Sequence, residues 1–141
     1  MNSIVYKAFH FAREKHDGHL DDNGDEYFWF HLVPVADMIE VVAPDDDELI
    51  AAAYLHDTLE DTDTTYDDLK FEFGQVIADL VVEVTHLGQA DEKGYYFPFL
   101  ETQRGIMLKF ADRLSNISRM QSWNTERQEH YLKRSKFWKS E

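Results

Sequence analysis

A chain of 141 residues with 43% hydrophobic and 14% aromatic residues has enough apolar material for one core of ordinary size, which excludes global disorder. Its 28 acids against 14 basic residues, a formal net charge of −14, make DNA, RNA and anionic lipid poor partners. The absence of cysteine excludes disulfides, thiolate metal sites and a cysteine nucleophile, and no apolar run is long enough for a transmembrane helix.

The elements read as helices in one domain spanning 1–141. A first helix over about 3–17 carries Ile4, Val5, Ala8, Phe11 and Ala12 at helical spacing. The N-terminus lacks a basic n-region followed by an apolar stretch, so no secretory signal is expected and a cytoplasmic location is. "DGHLDDNGDEY" (17–27) is a polar loop with two glycines. It has the composition of a calcium loop, but placing Gly24 sixth puts His19 first and Phe30 twelfth, so the ligand pattern fails.

A second helix is expected from His31 to Ala43, with Pro34 tolerated in its first turn and Pro44 stopping it. A third starts near Asp45–Asp47, where acids suit a helix N-terminus, and runs through "AAAYLHDTLED". Thr65 to Asp68 reads as a capping box for a fourth helix ending near Gly74. A fifth covers about 75–86, where "VIADLVVEV" fits a buried helix better than a strand. After a loop at 88–98, a sixth spans about 99–120, and Thr125 is expected to cap a seventh running to about Trp138. The fold class is therefore all-α, a bundle of about six to seven helices. The C-terminal residues 104–141 hold nine of the 14 basic residues and four of the 28 acids, so contacts to an anionic ligand are expected there.

The third helix ends in residues that a core would not choose. Four-residue spacing sets His56 above Glu60 and Asp57 above Asp61. Three carboxylates so close repel one another strongly at low dielectric, and a divalent cation would relieve that repulsion. Imidazole with carboxylate suits manganese, iron or zinc. More distant ligands are then required. His31 opens the second helix where packing needs no histidine. Asp112 interrupts the apolar run "IMLKFA" on the side facing the core, where an acid without a cation is costly. The expected metal ligands are His31, His56, Asp57 and Asp112, with Asn116 on the same face as Asp112. Taken singly, each has an ordinary structural reading; the joint pattern does not.

These residues resemble a known family. "HLVPVADMI" (31–39), "YLHDTLEDTDTT" (54–65), "FGQVIADLVVEVT" (73–85) and "LKFADRLSN" (108–116) occur in the order seen in HD-domain hydrolases. They are most similar to the RelA/SpoT-type hydrolase domain, including the small stand-alone alarmone hydrolases. The resemblance covers roughly residues 5–120. It implies an all-helical HD fold and manganese held by His31, His56, Asp57 and Asp112. It also implies that Glu60 and Asp61 position and activate the attacking water. The implied reaction removes the 3′-pyrophosphate of ppGpp or pppGpp, giving GDP or GTP and pyrophosphate. Lys109 and Asn116 match family positions near the nucleotide, and Tyr131 matches a pocket tyrosine.

The chain departs from the family where a basic pair normally holds the nucleotide. That region is the acidic "HLDDNGDEYF" (19–28), the proline before the family tyrosine is replaced by Tyr27, and Ser118 replaces an arginine, with Arg119 one position later. A second reading therefore keeps the metal centre and changes the substrate to another nucleotide or dinucleotide phosphate. A third, an acidic binding module for a basic partner, leaves His31, His56 and Asp112 among apolar residues unexplained. The other histidines (His10, His16, His19, His86, His130) read as surface or satisfied residues, and the aromatics at 95–99, Trp123 and Trp138 as packing.

Overall fold

The computed structural model describes residues 3–85 and 100–134. The loop expected at 88–98, the aromatic cluster at 95–99, His86 and the end of the last helix near Trp138 lie outside the described residues. Those described form an all-α bundle whose elements are α1 (Ser3–Lys15), a π turn (Phe28–Leu32), α2 (Val33–Val42), α3 (Asp47–Leu55), α4 (Thr58–Asp61), α5 (Tyr66–Phe73), α6 (Gln75–Val84), α7 (Gln103–Ser118) and α8 (Thr125–Arg134).

The bundle is built around α3. Every residue from Leu49 to Leu55 is buried, as expected of a helix that is apolar all round. Three successive alanines keep its surface thin, so α1, α2, α6 and α7 all pack against it. Asp46 caps α3 by accepting from the Leu49 N–H at 3.1 Å. The same carboxylate accepts two hydrogen bonds from Arg104 of α7, which ties the start of α3 to that helix.

The capping box is present as expected: Thr65 Oγ1 accepts from the Asp68 N–H and the Asp68 carboxylate accepts from the Thr65 N–H. Gly74, at φ +91°, ends α5 and begins α6; the positive φ is why a glycine stands there. The "VIADLVVEV" stretch is helical, with Ile77, Ala78, Leu80, Val81 and Val84 buried.

Two local expectations do not hold. The third helix is not continuous through the polar motif. It ends at Leu55, the chain turns at His56–Asp57, with Asp57 at φ −103° and ψ 2°, and α4 is a separate single turn. The cap of α8 is Asn124, not Thr125: the Asn124 side-chain oxygen accepts from the Arg127 N–H at 2.8 Å. Four-residue spacing is the same on both sides of a two-residue turn, so periodicity could not reveal the first. Asn and Thr are both good caps, so residue type could not separate them in the second.

Candidate metal centre and adjoining cleft

Three elements converge on one buried point. The π turn, whose i→i+5 bonding holds one more residue per turn than an α-helix, delivers His31. The kink after α3 swings His56 and Asp57 inward. The inner face of α7 presents Asp112, one turn before Ser115. His31 Nε2 lies 3.0 Å from Asp112 Oδ1 and 3.4 Å from Asp57 Oδ2. His56 Nε2 lies 3.1 Å from Asp57 Oδ2, 3.3 Å from Asp112 Oδ1 and 3.3 Å from His31 Nε2. One donor atom from each of the four lies within 4.8 Å of the others. Donors about 2.1 Å from a common centre stand about 3.0 Å apart at right angles and about 3.4 Å apart in a tetrahedron. The observed separations fall in that range, so the donor set fits a divalent cation.

Each ligand is held from behind, as metal ligands commonly are. His56 Nδ1–H donates to the Ala53 carbonyl at 2.6 Å, which leaves Nε2 bare toward the centre. His31 Nδ1 pairs with Ser115 Oγ at 2.9 Å. The Tyr27 hydroxyl donates to Asp57 Oδ2. Buried Lys109 lies 3.1 Å from Asp112 Oδ2, on the side away from the histidines.

The electrostatics run the same way. Burial works against charge on all four groups, and their neighbours outweigh it. Asp57 and Asp112 raise both imidazoles above the ordinary histidine value. The carboxyls sit well below the ordinary range, Asp57 because of His56 and His31, Asp112 because of Lys109 and the same histidines. Without a cation the four ligands are held together by shared protons. A divalent ion would displace those protons, so its affinity must fall as the pH falls.

The remaining expected residues are less central. Glu60 and Asp61 are exposed on α4 and are not among the residues lining the adjoining cleft. Partial loss of water and the nearby Asp57 charge raise the Asp61 carboxyl above the ordinary value. Asn116 Nδ2 donates to the Tyr131 hydroxyl at 2.8 Å. A cleft of about 150 Å³ opens beside the centre, lined among others by His19, Tyr27, His31, Asn116, Arg119 and Trp123. Lys109 and Tyr131 do not line it. They stand behind Asp112 and Asn116, one step from the cleft.

The acidic loop and the basic C-terminal segment, opposites in sequence, meet at this cleft. Arg119 bonds Asp21 at 3.0 Å and also Asp25, with its guanidinium over the Phe30 ring. Arg127 bonds Asp22 at 2.6 Å and lies over Trp123. Contacts to an anionic ligand are expected from the C-terminal segment, and two of its cations, Arg119 and Arg127, are paired with loop carboxylates.

Sequence reasoning missed four residues here. Tyr27 and Ser115 act behind metal ligands, and nothing in their local pattern marks them. His16 is 2% exposed and pairs with His19, whose ring stacks on Tyr27 at 4.2 Å. Burial lowers the His16 pKa to about 4. The unfolded chain, near 6.5, binds a proton at His16 that the folded chain does not, so stability contributed by neutral His16 is lost as pH falls from about 6.5 to about 4. Urea titrations of metal-free wild type and His16→Leu should therefore differ in slope in that window, the wild type losing about 3 kcal/mol more than the variant. Parallel stability curves would refute this.

The fold and the four-ligand centre define an HD-type helical domain, and the chain belongs to the HD domain family, whose model matches residues 8–94. It is 36% identical over 137 residues to the guanosine-3′,5′-bis(diphosphate) 3′-pyrophosphohydrolase of Aquifex aeolicus, covering 92% of this chain and 19% of that protein. It is 31% identical to the Danio rerio guanosine-3′,5′-bis(diphosphate) 3′-pyrophosphohydrolase MESH1, covering 92% of this chain and 79% of that one. A solved structure of a metazoan ortholog of SpoT that hydrolyzes ppGpp superposes with a TM-score of 0.77 at 27% identity, covering 96% of this chain and 83% of that chain. The chain thus spans less than a fifth of the length of several curated relatives and most of the length of the shorter one. No helix among the described residues is long and apolar enough to cross a membrane.

Proposed function

We propose that this protein hydrolyses ppGpp or pppGpp at the 3′-pyrophosphate, releasing pyrophosphate and GDP or GTP. The observation that carries the reading is the buried quartet of His31, His56, Asp57 and Asp112, with His31 also lining an adjoining cleft. Relatives named for this activity support it over most of the chain's length.

These four residues would hold the metal, with manganese the expected ion. When bound, a divalent cation supplies charge to phosphate oxygens and acidifies water. Tyr27, Ser115, the Ala53 carbonyl and Lys109 keep the ligands aimed. Glu60 and Asp61, on α4, orient the attacking water and accept its proton; the raised Asp61 carboxyl suits that task. Asn116, steadied by Tyr131, contacts the nucleotide from α7. The partner is a small nucleotide rather than a nucleic acid, and the compartment is the cytoplasm.

One observation favours a second reading, hydrolysis of another nucleotide phosphate by the same centre. Asp21, Asp22 and Asp25 occupy the arginines at the cleft, which lowers its attraction for a highly charged alarmone. Manganese-loaded protein assayed against ppGpp and a nucleotide panel separates the two. Preferential release of pyrophosphate from ppGpp is expected; no turnover of ppGpp would sink the first reading.

A further inference from the structure

The His16–His19 pair has no part in the roles above. Their Nδ1 atoms are 3.1 Å apart, a hydrogen bond that needs one N–H and one bare nitrogen. His16 Nε2 is buried with no hydrogen-bond partner among the described residues. A buried orphan N–H is rarer than an orphan acceptor. The His16 proton therefore belongs on Nδ1, donated to His19, and burial keeps His16 neutral with only that one N–H. Neutral His19, with Nδ1 accepting, carries its own proton on Nε2. That atom hydrogen-bonds none of the described residues.

His19 is also fixed in place. Its backbone N–H donates to the His16 carbonyl and its carbonyl accepts from the Tyr27 N–H. Its ring lies on Tyr27 at 4.2 Å, and Tyr27 in turn lies 4.9 Å from the ring of His31. A donor lining the cleft thus stands two ring spacings from a metal ligand. The arginine that lines the same cleft, Arg119, is by contrast engaged with loop acids.

We infer that His19 binds substrate: its Nε2–H, set in that tautomer by His16, donates to a phosphate oxygen of the nucleotide. The inference rests on the nucleotide-hydrolase reading for its ligand, and the tautomer does not. A neutral donor suits this loop, because it offers a hydrogen bond to phosphate without needing a cation that Asp21, Asp22 and Asp25 would capture.

Nitrogen-15 spectra of the imidazoles, taken on substrate-free protein loaded with diamagnetic zinc, should show the proton on Nδ1 of His16 and on Nε2 of His19. The reverse assignment overturns the inference. In kinetics with ppGpp, His19→Leu should raise KM by about tenfold with kcat within about threefold, the size expected for one lost hydrogen bond to a charged group. His19→Gln, which keeps an N–H donor near the same point, should restore KM to within about threefold of wild type. Metal content and thermal unfolding should match wild type in both. A Leu variant with wild-type KM, or a Gln variant no better than Leu, overturns the inference. Wild-type protein without ppGpp turnover would defeat the nucleotide reading instead, and the tautomers would still decide whether His19 is the donor.

Discussion

Asp57→Ala protein should bind no stoichiometric manganese and should turn over ppGpp at least about 1,000-fold more slowly than wild type, since a metal centre contributes several kcal/mol of transition-state stabilisation and each 1.36 kcal/mol is tenfold. Asp57 is the hub of the quartet: its Oδ2 lies against both histidine Nε2 atoms and also accepts from the Tyr27 hydroxyl. Removing it takes away a ligand, the charge that helps hold His56 and His31, and the acceptor of Tyr27 in one change. Two measurements check this, metal content after gel filtration and the manganese-induced rise in unfolding temperature. A ligand at 100 times its Kd adds about 2.7 kcal/mol of stability, and the variant should lose that increment entirely. A helical circular dichroism spectrum equal to wild type shows that the fold survives. A variant that retains both metal and turnover would remove Asp57 from the ligand set.

The second large effect separates holding the metal from handling water. Glu60→Gln should keep manganese and its thermal shift while kcat falls about 100- to 10,000-fold, the usual contribution of a general base. Glu60 sits on the exposed turn α4, one turn beyond Asp57 and outside the four converging donors. Its amide replacement preserves shape but not proton acceptance. Loss of metal equal to that in Asp57→Ala would mean that Glu60 is a ligand, and unchanged kcat would shift the base to Asp61 alone.

The four ligands were legible because each breaks a rule of its own segment. His56 and Asp57 end an apolar helix, Asp112 interrupts an apolar run, and His31 stands just ahead of a helix where packing needs no histidine. Burial of all four, from 3% to 8% exposed, repeats that signal in space. The capping box at Thr65 was legible for a different reason: both of its partners lie three residues apart. What could not be read is what depends on distant partners. Asp21 and Arg119 are 98 residues apart, and His31 and Ser115 are 84. The acidic loop therefore looked only like a lost basic pair, not half of a paired surface. The His16–His19 contact is close in sequence, but its meaning depends on Tyr27 and the cleft. Lys109 shows the limit of residue matching: the position agrees with the family, while its ammonium lies against Asp112.

The π turn at Phe28–Leu32 makes segment length, more than residue identity, the vulnerable property of this centre. A single-residue deletion at Trp29 or Phe30 would let the turn close with an ordinary i→i+4 bond, so that α2 keeps its register while the residues inside the turn, His31 among them, shift position. His31 would then leave the quartet although no ligand had been altered. Substitutions at the same exposed positions keep the register. For this stretch, reading frame-preserving indels are the severe lesions and point changes the mild ones.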